Sequence, residues 1–142
     1  MYENYTKQSL PSKSYRELLG SALCVFSSNN AFVIENILHT DSVKYNWYEL
    51  TDKMSGELKN TFESIDKTIA QKFNSIVEKR NRIIHSFQIT DEDDEQRLAT
   101  KTKIKEGNKQ FVITEQYLLD FIKENQELSD MLYAYRDKVW KK

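Results

Sequence analysis

The chain has 142 residues and balances 21 Lys and Arg against 22 Asp and Glu, for a formal net charge of −1. That length fits one domain with a real core, and so even a charge argues against indiscriminate wrapping of nucleic acid, which needs a broad basic surface. Any nucleic-acid site has to be local.

Residues 1–11 are polar with two tyrosines and read as a flexible arm. Ser12 or Ser14 can cap a helix that carries Tyr15, Leu18, Leu19, Leu23 and Phe26. Cys24, the single cysteine, sits in this apolar stretch and reads as core; it rules out an intrachain disulfide and is compatible with a reducing compartment. Ser27-Ser28-Asn29-Asn30 is poor helix material and predicts a kink or short break. Helical spacing resumes with Phe32, Val33, Ile37 and Leu38 and ends near Thr40-Asp41, with His39 at the helix end. Glu35 either faces solvent or, in an antiparallel bundle, reaches Arg80. With no charged segment ahead of an apolar one at the N-terminus, and no apolar run read as long enough to cross a bilayer, the expectation is a soluble cytoplasmic protein without a membrane partner.

Tyr45 to Leu50 reads as a short helix or a loop, with Trp47 and Tyr48 as core anchors. Ser55-Gly56-Glu57 precedes a helix with Leu58, Phe62 and Ile65, and Asp66 can cap the next. If Asp66 to about Phe87 is one helix, Ile69, Phe73, Ile76, Val77, Ile84 and Phe87 share one stripe, and at about 100° per residue Arg80 falls near its centre. Asn81 and His85 then lie at its polar margin.

These residues have a chemical logic. An imidazole titrates near neutral pH and can take a proton from a ribose 2′-hydroxyl or give one to a departing 5′-oxygen. A guanidinium binds two phosphate oxygens at once and steadies their charge, a role that suits Arg80. Asn81, four residues before His85, projects from the same helix face and can hold the imidazole or the phosphate. Lys79 and Arg82 would add a basic patch. The structural alternative is an ion pair at Arg80 with no catalysis.

Asp91-Glu92-Asp93-Asp94-Glu95 reads as an exposed, mobile acidic loop. A hairpin follows over residues 97–113, turning at Glu106-Gly107-Asn108. Lys101, Lys103 and Lys105 would alternate along one strand face, either guarding an edge or forming a basic flap over RNA. Thr114 with Glu115 starts a last helix through Leu118, Leu119, Phe121, Ile122, Leu128, Met131, Leu132, Tyr135 and Val139, with Lys138, Lys141 and Lys142 suiting its C-terminal end. The expected fold is mainly all-α over residues 1–142: an antiparallel bundle of four to five helices with a short β-hairpin inserted before the last. No metal cluster, phosphate loop or cofactor motif is evident.

The run Lys79-Arg80-Asn81-Arg82-Ile83-Ile84-His85-Ser86-Phe87, late in a helix of a short helical chain, resembles the signature of the HEPN superfamily: an arginine, a polar residue, then a histidine four to six positions on. The resemblance implies a small helical bundle that forms a homodimer with two motifs facing across a cleft. It also implies metal-independent cleavage of RNA in toxin–antitoxin or phage-defence systems, or, in members that have lost catalysis, a nucleotide-binding or protein-interaction subunit of such an assembly. Arg80, Asn81 and His85 carry over as catalytic positions; beside them Lys79 and Arg82 read from their charge as RNA-binding residues, with Glu35 and Ser86 in support. In the toxins neutralised by a nucleotidyltransferase-like antitoxin, a tyrosine two residues after the histidine accepts adenylyl groups. Here that position is Phe87, which has no hydroxyl. Ser86 offers a neighbouring one, or simply ends the helix.

Overall fold

A side chain caps the start of most helices. Among residues 2–140, which the computed structural model describes, the helices are α1 (Lys13–Thr40), α2 (Trp47–Asp52), α3 (Ser55–Glu63), α4 (Lys67–Ile84) and α5 (Glu115–Val139). Ser12, Asn46, Asp66 and Thr114 accept from the backbone N–H groups of Tyr15, Glu49, Ile69 and Tyr117, so four of these helices begin with an orphan donor satisfied. At α3 the Glu57 carboxylate instead reaches back to the N–H of Met54.

α1 runs unbroken through Ser27-Ser28-Asn29-Asn30, contrary to the expected kink. Tertiary hydrogen bonds override the weak local propensity. Asn29 is buried and donates to both the carbonyl and the side-chain oxygen of Asn125, at 2.8 and 3.0 Å, while Asn30 accepts from Ser55 Oγ at 2.8 Å. α1 also contains an 18-residue window of mean hydropathy 1.3, so by length and composition alone it is apolar enough to cross a bilayer, which corrects the expectation that no run is. In the fold its buried positions, among them Phe26, Val33 and Ile37, belong to the common core.

Phe26 lies between Phe73 of α4 and Phe121 of α5, with ring centroids 6.2 and 6.4 Å away, and so joins the three long helices. α4 runs against α5, as the Lys72–Glu127 and Lys79–Glu124 pairs show. α1 and α5 run the same way: the Tyr15 hydroxyl donates to Ile113 O just ahead of α5, Asn29 meets Asn125 midway, and Thr40 bonds Tyr135 at the far end. The mainly helical architecture with its β segment before the last helix is the expected one. Its longest helix pair is parallel rather than antiparallel, because the chain passes through the sheet at the pole where α4 ends and α1 begins, and α5 leaves from that same pole.

The sheet is a three-stranded antiparallel meander, β1 (Phe87–Thr90), β2 (Gln96–Lys101) and β3 (Gln110–Ile113), in that order. β1 was not expected; it pairs Phe87 with Ala99 and Thr90 with Gln96. Glu92 to Glu95 are exposed, as expected, and Asp91 to Glu95 forms a tight turn, in which Asp91 Oδ1 accepts from the N–H groups of Asp93 and Glu95 and Asp91 N–H donates to Glu95 O at 2.8 Å. β2 stops at Lys101, and Ile104–Glu106 form a 3-10 turn closed by Gly107 at φ 100°, so Lys101, Lys103 and Lys105 do not share a strand face.

Three other expectations change. Cys24 is exposed, on the solvent side of α1. Trp47 and Tyr48 are 42% and 82% exposed, and the short α2 anchors itself through Leu50 alone. The arm has no helix or strand but is tied down: Arg16 donates to Glu3, to the Tyr5 hydroxyl and to Pro11 O, and Gln88 donates to Ser9 O. Lys141 and Lys142, expected at the helix end, lie outside the described residues, as does Met1.

Tyr15 couples sheet to bundle. Fully buried, its hydroxyl donates to Ile113 O at 2.6 Å and accepts from Leu98 N at 3.2 Å. Tyr15→Phe removes both of these bonds and should cost about 1–3 kcal/mol of unfolding free energy in a denaturant titration.

Candidate functional site

α4 ends sooner than its pattern implies. The His85 N–H donates to Asn81 O at 2.9 Å, but His85 itself is the C-cap, at φ −93° and ψ 20°. Ser86 Oγ donates to Ile83 O at 2.6 Å and satisfies one of the orphan carbonyls, after which Phe87 enters β1. The helix-ending role of Ser86 is therefore what the geometry displays. The turn also changes the stripe: Ile69, Phe73, Ile76 and Val77 are buried as expected, but Ile83 is 3% exposed while Ile84 and Phe87 are 49% and 44% exposed.

A cleft of about 300 Å³ opens beside this helix end, lined by Glu78, Asn81 and Arg82 of α4 with its C-cap His85, and by Thr100, Lys101, Lys103 and Glu106 of β2 and the following turn. Glu78, Asn81, Arg82 and His85 are spaced i, i+3, i+4, i+7, the repeat that places side chains on one face. Asn81 and His85 are exposed in it. Arg82 Nη2 lies 3.8 Å from Glu106 Oε2, joining α4 to the tip of the β2–β3 hairpin. Behind Arg82 sits Tyr117, whose buried hydroxyl has no hydrogen bond of good geometry; burial raises its titration above the usual phenol range, against the pull of Arg82.

Arg80 is elsewhere. Its guanidinium carbon stands 4.8 Å from the centroid of the Phe26 ring, and its Nε is buried without a hydrogen-bond partner. No carboxylate pairs with it among the described residues, and burial pulls it below the usual guanidinium range. Glu35 does not reach it: that residue is exposed and lines a different hollow with Phe32, Tyr133, Arg136 and Trp140. Lys79 points away from the cleft and pairs with Glu124. Within one chain the fold thus brings together Asn81, Arg82 and His85 and separates Arg80, Lys79 and Glu35 from them.

The cleft holds three cations, Arg82, Lys101 and Lys103, against two carboxylates, and it offers an imidazole and a carboxamide at its exposed wall. That set can grip an anion and move a proton. Glu78 was missed from sequence although its spacing to Asn81 and His85 would have found it; Thr100 and Glu106 arrive through the sheet and left no local signal. Among the described residues no group of three or more His, Cys, Asp or Glu is placed to hold a metal ion. Compared with known proteins, the chain matches no family model, no curated protein and no solved structure at a significant level of similarity.

Because His85 and Asn81 are exposed, replacing either by alanine should change stability by no more than about 0.5 kcal/mol. A large fall in melting temperature would instead assign His85 to holding the fold. Arg80→Met keeps a stem on Phe26 and removes a half-buried unpaired charge, so its melting temperature should match or exceed that of the wild type.

Proposed function

We propose that this protein is a metal-independent endoribonuclease of the HEPN type, acting in the cytoplasm as a toxin or phage-defence effector. The observation that carries this reading is the exposed His85 in a cleft it shares with Asn81 and three cations. His85 serves as general acid/base in attack by a ribose 2′-hydroxyl on the adjacent phosphorus, which leaves a 2′,3′-cyclic phosphate and a free 5′-hydroxyl. Asn81 orients the reacting groups, and Arg82 holds the RNA backbone.

Arg80 enters through dimerisation. Its charge finds no carboxylate among the described residues, which supports a role toward the phosphate once two copies meet, with Lys79 at the edge of the combined surface. RNA is the substrate, no cofactor is required, and a nucleotidyltransferase-like antitoxin or another defence protein is the expected regulator. Phe87 cannot be adenylylated, so control by that modification would need another residue. The rival reading is a non-catalytic HEPN domain that binds nucleotide or protein, and the stacking of Arg80 on Phe26, away from His85, favours it.

Incubating purified wild type and His85→Ala with mixed structured RNAs in excess chelator separates the two. Cleavage by the wild type alone, with cyclic phosphate ends, is the expected result. Intact RNA with both proteins, each folded and dimeric, would overturn the nuclease reading in favour of the binding one.

A further inference from the structure

We infer that Glu78 is the general base of this site and His85 its general acid. The inference rests on the ribonuclease reading above and supplies what it lacks, since one imidazole cannot take the 2′-hydroxyl proton and protonate the leaving oxygen in the same step.

Glu78 lines the cleft on the same α4 face as Asn81, Arg82 and His85. It is exposed to whatever enters. Arg82 stands four residues after it, the orientation in which a glutamate and an arginine on a helix pair well. The fold forgoes that pair: Arg82 turns to Glu106 on the hairpin, and the Glu78 carboxylate has no ion-pair partner among the described residues. A cleft built only to grip phosphate gains nothing from a free carboxylate in its wall, because like charges repel. A cleft that must also remove a proton needs one. Seven residues separate Glu78 from His85, about 10 Å between Cα atoms along the axis, a span that the two side chains close from opposite ends onto a sugar and its 3′-phosphate.

The step balances. The Glu78 carboxylate takes the 2′-hydroxyl proton as the 2′-oxygen bonds to phosphorus, the bond from phosphorus to the 5′-oxygen breaks, and the His85 imidazolium protonates that oxygen. Arg82 and the lysines Lys101 and Lys103 hold the charge on the non-bridging oxygens. Proton exchange with water resets both groups.

The two roles are separable with a short RNA whose scissile 5′-oxygen is replaced by sulfur, a leaving group that departs without a general acid. On ordinary RNA, Glu78→Gln and His85→Ala should each lower kcat by about 10²-fold or more, with KM changed less than about threefold. On the sulfur substrate His85→Ala should recover to near the wild-type rate, while Glu78→Gln should stay slow and lose the rise of kcat with pH on the acidic side of the profile. Full activity of Glu78→Gln, an unchanged acidic limb, or its recovery on the sulfur substrate would overturn the assignment and leave the ribonuclease reading standing. If the wild type cleaves neither substrate, that reading falls and takes this one with it. Since Glu78 is exposed, Glu78→Gln is expected to melt with the wild type, so a slow variant is not an unfolded one.

Discussion

The Phe26 ring is where the three long helices meet. It packs on both Phe73 and Phe121 and carries the Arg80 guanidinium over its ring, so one side chain of α1 joins the three long helices and holds the most conspicuous charge on α4. Aromatic packing of this kind contributes through buried area and through ring geometry. A cation on a ring face is further stabilised by the quadrupole. With Arg80 committed to that side, the helical repeat turns Asn81, Arg82 and His85 toward the sheet. The cleft is the consequence of where its neighbour packs.

The sheet completes what the helix begins. Ser86 ends α4 by taking a carbonyl of the last turn, and the chain leaves directly as β1. The meander then brings Thr100 and Lys101 alongside the helix end, while the 3-10 turn at its tip carries Lys103 and Glu106 across to Arg82. Tyr15 holds the other side of the same sheet to the bundle, and Arg97 lies over its ring at 4.8 Å. The sheet that forms one wall of the cleft is therefore tied to the bundle by contacts that are far apart in the chain.

The helices were legible because their signals are local. Ser12, Asp66 and Thr114 announce starts, and the apolar repeats at Leu58 and Phe62 or at Phe73, Ile76 and Val77 locate the core face. The failures share a different cause. Asn29 and Asn30 look like breakers until Asn125 and Ser55 supply partners, and Trp47 and Tyr48 look like core because bulk apolar side chains are more often inside than out. β1 was hidden because Phe87 extends the α4 stripe arithmetically, and the decision to stop there belongs to the Ser86 hydroxyl. At the site, spacing alone identifies the side chains that share a helix face, Glu78 included. It also sets Arg80 on the apolar stripe apart from Asn81 and His85, but it does not reveal that the ring Arg80 meets there is Phe26 or that Glu106 comes to Arg82, since both depend on a residue distant in the chain.

The parallel run of α1 and α5 carries a temporal consequence. The bonds that join them, Tyr15 to Ile113, Asn29 to Asn125 and Thr40 to Tyr135, span 98, 96 and 95 residues. Loop closure over such lengths precedes any reward from the contacts themselves, which slows folding. During synthesis the side of the first helix that faces α5 stays uncovered until α5 has emerged. A chain interrupted before α5 would have the residues of the cleft but no Phe121 to seat Phe26, so a truncated product would not assemble the site, and whatever this surface does is withheld until α5 has been made.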